Sequence, residues 1–92
     1  MQQMIREAIQ TRSTIRFRYK GTTREVEPHT VGTQQSGNDA LSAWQLGGGS
    51  GEGFRLYLLG EIQSPANGVA FAGPRPGYRR GDRRFTYIFA EL

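Results

Sequence analysis

The chain has 92 residues, twelve of them basic and eight acidic, a net charge of +4 and no cysteine. That length allows one domain, which buries only ~60–65% of the surface of its unfolded chain, so a deep, dry catalytic cavity is not expected and function should sit on a surface or shallow groove. Disulfides and thiolate metal sites are excluded, one histidine cannot supply an ordinary zinc shell, and no run approaches the ~20 apolar residues of a membrane span. The opening Met1-Gln2-Gln3-Met4 lacks the apolar core of a secretion signal, which makes a cytoplasmic address the expectation.

Met4, Ile5, Ala8 and Ile9 recur at helical spacing and predict an amphipathic opening helix that stops near Thr11-Arg12-Ser13. The period then becomes two. Ile15, Phe17 and Tyr19 alternate with Arg16, Arg18 and Lys20 and predict a half-buried strand, joined through the turn Lys20-Gly21-Thr22-Thr23 to a second run over 24–31. Pro28 has no N–H to give a ladder, so it marks an edge or a bend in that run. A third strand is expected over 40–46 with Trp44, the only tryptophan, and a fourth over 54–59. The intervening Gly47-Gly48-Gly49-Ser50-Gly51-Glu52-Gly53 is followed by a strand rather than a helix, so it reads as a hairpin connection and not as a phosphate-binding loop. Gly60 ends or bulges the fourth strand, Ser64-Pro65-Ala66-Asn67-Gly68 reads as a turn, and the stretch from Val69 to Tyr78 as irregular chain anchored by Phe71.

The last segment admits two readings. Asp82 suits a helix N-cap, and Phe85, Ile88, Phe89 and Leu92 then form one helical stripe. The aromatic and β-branched residues from Phe85 to Phe89 also suit a strand. The helix is the expectation, which gives a mainly β domain: a small Sm-like or SH3-like barrel with an N-terminal helix and a short C-terminal helix.

Charge is unevenly placed. Arg75, Arg79, Arg80, Arg83 and Arg84 face one acid, Asp82, while the remaining seven bases and seven acids cancel. Such a cluster suits phosphate, and arginine can both grip an anion and stack on a base. A GC-rich codon bias accounts for arginine excess equally well, and charge runs are often only solvated surface.

Taken together, Ile5-Arg6-Glu7-Ala8-Ile9, Ile15-Arg16-Phe17-Arg18-Tyr19, the run from Arg24 to His29, Phe54-Arg55-Leu56-Tyr57 with Ile62, Trp44-Gln45 before the glycine loop, and Phe71-Ala72-Gly73-Pro74-Arg75-Pro76-Gly77-Tyr78 make the chain similar to short, stand-alone bacterial WYL domains. The resemblance implies an Sm-like barrel that acts as a sensor or regulator, often in transcription, by binding nucleotides or nucleic acid through arginines and aromatics. It departs at the name-giving Trp-Tyr-Leu, where Asp39-Ala40-Leu41 stands. No helix-turn-helix segment precedes the module, so control of a promoter by these residues alone is not expected.

The resemblance places Arg24, His29 and Arg55 at ligand-facing positions. Independently, alternation would put Arg55 and Tyr57 on one exposed face opposite Phe54 and Leu56, a pairing suited to stacking with phosphate contact. Alternatively, Arg55 pairs across strands with Glu25 or Glu27, and His29 is a loop histidine bonded to nearby backbone. Trp44 and Tyr78 are either stacking platforms or core, with core favoured for Trp44. With Arg75, Arg79, Arg80 and Arg83, these residues make the candidate site. No nucleophile with a base beside it is visible, so turnover, cofactor and metal are not expected. Two partner classes remain, a nucleotide or single-stranded nucleic acid at the arginines, or a protein (a regulatory partner or a second copy) at open strand edges.

Overall fold

The computed structural model of the chain describes residues 1–47 and 51–92. Its elements are α1 (Gln2–Thr11), β1 (Ser13–Tyr19), β2 (Thr22–Gln34), β3 (Asp39–Gly47), β4 (Gly53–Leu58), a 3-10 turn (Leu59–Glu61), β5 (Gln63–Ala70) and β6 (Phe85–Glu91). All strand pairs are antiparallel, in the order β4-β3-β2-β1-β5, with β6 added beside β2. Among the described residues β4 and β5 do not pair with each other, so the sheet stays open. No helix there is long and apolar enough to cross a membrane.

Residues Lys20 and Gly21, at φ 50° and 81°, form the two-residue turn between β1 and β2, the geometry that matches the twist of a hairpin. β2 then organises the domain. One of its edges pairs with β3 from Glu25 to Thr33; the other pairs with β1 from Thr22 to Val26 and with β6 from Thr30 to Gln34. Glu27, Pro28 and His29 fall in the gap between β1 and β6. Pro28 sits where the missing N–H costs no ladder bond to either of them, and the Leu92 N–H donates to the His29 carbonyl at 2.9 Å within the same gap.

The core lies under α1, whose Ile5, Ala8 and Ile9 join Ile15, Phe17, Tyr19, Val26, Val31, Leu41, Ala43 and Tyr57 in one buried cluster. The opposite face of β2–β3–β4 carries Glu27, Trp44 and Phe54, which are cross-strand neighbours. The segment 71–84 crosses this face as an arm.

Three expectations are corrected. The C-terminal helix is absent: Phe85–Glu91 is β6, because its β-rich residues find the open edge of β2, and Asp82 accepts from the Arg84 N–H and side chain instead of capping a helix. The turn at 64–68 lies inside β5, where Ser64 takes a positive φ of 52° and Pro65 is tolerated because β5 has β1 on only one side. The chain at 54–57 is covered on both faces, which reverses the exposure expected there: Tyr57 is buried in the core and Phe54 and Leu56 are half-buried on the outer side.

Candidate functional site

The nine residues singled out by sequence fall into three groups. Around Gln45 lie Arg24, Arg55 and Tyr57. The buried Tyr57 hydroxyl donates to Gln45 Oε1 at 2.7 Å and Arg24 Nη1 donates to the same atom at 3.0 Å, while Arg24 also bonds Thr22 Oγ1 and the Tyr19 carbonyl. Gln45 Nε2 and Arg55 Nη2 both donate to the Gly51 carbonyl, at 2.5 and 3.3 Å. This group braces the glycine-rich connection, of which Gly48, Gly49 and Ser50 lie outside the described residues. The phenol is raised in pKa, chiefly by burial. Tyr57→Phe should therefore cost about 1 kcal/mol in urea unfolding, the worth of one buried hydrogen bond, with the fold kept. A loss below a few tenths would show that the bond from Arg24 suffices for Gln45 Oε1.

The second group is His29, Arg75 and Tyr78. His29 is not in a loop but within β2, fully buried. Its Nδ1 lies 2.8 Å from the Glu27 carbonyl and its Nε2 accepts the Arg75 N–H at 3.0 Å. Three rings surround it: Phe54 at 5.1 Å and Tyr78 at 5.1 Å, both edge-on, and Phe71 stacked at 6.2 Å. Arg75 grips the buried Glu27 carboxylate with Nε at 2.8 Å and Nη2 at 3.1 Å, and its guanidinium lies 5.1 Å from the centre of the Trp44 ring. Trp44 is thus half-buried on the outer face rather than core, and its Nε1 donates to Glu52. Burial lowers the His29 pKa below its ordinary 6.5, against smaller opposing contributions from Glu27. The arm is fastened further by Arg12, whose guanidinium donates to the Ala72 carbonyl at 2.9 Å, and by the Tyr78 hydroxyl, which donates to the Leu92 carbonyl at 2.9 Å.

The third group is Arg79, Arg80 and Arg83. Arg80 pairs with Glu91 at 3.0 Å, and Arg84 pairs with Asp82 and bonds Ser42. The side chains of Arg79 and Arg83 make no ion pair or hydrogen bond with described residues. The arginine cluster is therefore less positive than its sequence suggests: Glu27, Glu91 and Asp82 offset three of its five charges. Arg55 pairs with neither Glu25 nor Glu27, since Glu25 takes Arg16 and Glu27 takes Arg75.

A cavity of about 290 Å³ opens beside Arg79, lined also by Ser42, Phe54, Gly77, Tyr78, Asp82 and Arg84. A larger, shallower one of about 580 Å³ lies on the other side of the arm, against Leu46, Val69, Phe71, Pro74 and Arg75. The first combines two aromatic rings, a cation without a partner and a hydroxyl, groups that fit a planar ring carrying an anion. Asp39, Ala40 and Leu41 lie elsewhere, at the start of β3, with Ala40 and Leu41 fully buried. Glu27, Phe54 and Asp82, legible in the sequence only as an ion-pair partner, an apolar face and a helix cap, also belong to the site. The two-residue spacing of Glu27 and His29 was the signal that would have put them on one face. No group of three or more metal-ligating side chains occurs among the described residues. In comparison with known proteins, the chain matches no family model, no curated protein and no solved structure.

Proposed function

We propose that this chain is a cytoplasmic ligand-sensing module of the WYL type, built on an Sm-like or SH3-like plan, that binds a nucleotide or single-stranded nucleic acid without turning it over. The observation that carries the reading is the pairing of the Phe54–Tyr78 wall with Arg79, a cation that no acid among the described residues neutralises, in one cavity. The long β2 shared by β1, β3 and β6, and the sequence resemblance, support the same plan.

Arg79→Ser with Arg83→Ser is the discriminating variant, since Arg75, Arg80 and Arg84 hold the arm and these two do not. Surface changes of this kind should leave stability within about 0.5 kcal/mol. The parent should bind a labelled single-stranded oligonucleotide with an affinity that falls as salt rises, and the variant should lose both affinity and about 0.7 of the logarithmic salt slope per lost contact. Unchanged binding by the variant, or no salt-sensitive binding by the parent to any nucleotide or strand, defeats the reading.

One observation favours a protein partner instead. β5 is exposed along nearly its whole length, carries no charged residue, presents Val69 at 66% exposure and has an open outer edge. Charge is the usual protection of such edges. A mass above the monomer by light scattering that persists at high salt would select that reading.

A further inference from the structure

An amide N–H can only donate, so the Arg75 N–H at 3.0 Å requires His29 Nε2 to be the bare nitrogen, and Nδ1 must carry the proton toward the Glu27 carbonyl. The ring is therefore neutral and of one tautomer. A proton on Nε2 would set N–H against N–H at the point where the arm meets β2, inside a shell of Phe54, Phe71 and Tyr78 in which no other acceptor among the described residues is bonded to the ring. The charged groups facing the ring are Glu27 from β2, which attracts a cation, and Arg75 from the arm, which repels one. β4 contributes only the apolar Phe54, and the Tyr78 hydroxyl is turned to the Leu92 carbonyl.

We propose that His29 is a proton-operated latch: protonation at Nε2 expels the Arg75 backbone, frees the arm 71–84 from the outer face of the sheet, and so dismantles the cavity between Phe54 and Tyr78. The effect on ligand rests on the nucleotide reading; the opening of the arm does not. Burial sets the direction. With its pKa lowered in the latched state and ordinary in the open one, His29 holds the latch fully above pH 6.5 and releases it as pH falls through the latched value below 6.5.

Trp44 reports the event, because it is the only tryptophan and Arg75 lies over it. We would follow the native protein from pH 8 to pH 5 by the nitrogen NMR signals of its one imidazole, by Trp44 emission, by amide exchange corrected for intrinsic rates, and by far-UV circular dichroism. The expected result is a proton on Nδ1 at high pH, then coincident protonation, change in emission and loss of protection at the Arg75 amide, about tenfold per pH unit as pH falls from 6.5 toward the latched value and levelling off below it, for one bound proton. The amides of β1–β3 should stay protected. His29→Gln keeps an acceptor without a titration, so its emission should not respond to pH over this range. Should that variant fail to fold, the native titration decides alone.

A proton found on Nε2 at high pH, an Arg75 amide indifferent to protonation, or simultaneous exposure of the whole sheet each overturns the latch. Binding of a labelled single-stranded oligothymidylate, measured across the same range, separates the two claims. Arm opening that leaves this binding unchanged retires the ligand half and keeps the latch, whereas binding that is absent at every pH counts against the nucleotide reading only.

Discussion

Gly32→Ala is expected to detach β6 from the sheet, with the largest loss of stability of any single methyl addition in the domain. Gly32 pairs with Ala40 on one side of β2 and Ile88 on the other, and its backbone is ordinary extended chain, so glycine is not there for its freedom at positive φ. A Cβ at this position would collide with the Tyr87 carbonyl oxygen and crowd the Ile88 Cα, all of it backbone that cannot swing aside. Either β6 moves away, exposing Phe85 and the partly buried Ile88 and Phe89, or β2 bends out of register. Overpacking in a fixed core typically costs about 1–3 kcal/mol, and losing a strand adds ladder bonds to that. We expect at least about 3 kcal/mol in denaturant unfolding and selective loss of protection in β6. A fully cooperative melt near the parent's temperature would mean that the sheet relaxes around the methyl.

Arg75→Met should be the next most damaging change and the more instructive one. The substitution keeps an apolar stem over Trp44 and takes away only the fork that neutralises Glu27, whose side chain is 8% exposed. An uncompensated buried carboxylate usually costs about 3–5 kcal/mol; because 34% of the Arg75 side chain is exposed and water screens the pair, we expect about 2–3 kcal/mol. Adding Glu27→Leu to Arg75→Met should recover most of the loss, since an apolar pair needs no compensation. Additive losses in the double variant would show that the two side chains act separately.

How far the sequence could be read depended on whether a residue answers to its neighbours or to something distant. α1, the β1–β2 hairpin and the β3–β4 hairpin rest on local period and turn chemistry, and Ile5, Ala8, Ile9, Ile15, Phe17 and Tyr19 meet in the core as their spacing requires. Phe85 to Phe89 fits two periods at once; the choice between them was made by the open edge of β2, more than fifty residues earlier, which no window of neighbours contains. Tyr57 misled for a related reason. Alternation locates two faces but does not say that an arm will cover the second. At the site, the charge of the 75–84 cluster was legible and its neutralisation was not, because Glu27 and Glu91 lie outside that stretch.

The division of one edge of β2 between β1 and β6 also bears on how the chain is made. β1 reaches β2 through a two-residue turn, whereas Ile88 meets Gly32 across 56 residues, a closure that must wait until nearly the whole described sequence has left the ribosome. Until then the stretch Thr30 to Gln34 is bare backbone beside an apolar interior, able to pair with the same stretch on a neighbouring nascent chain. Translation order thus leaves a vulnerable interval whose length is set by the speed of the polysome rather than by the final stability. Slowing synthesis late in the message should raise the aggregated fraction more than slowing it early.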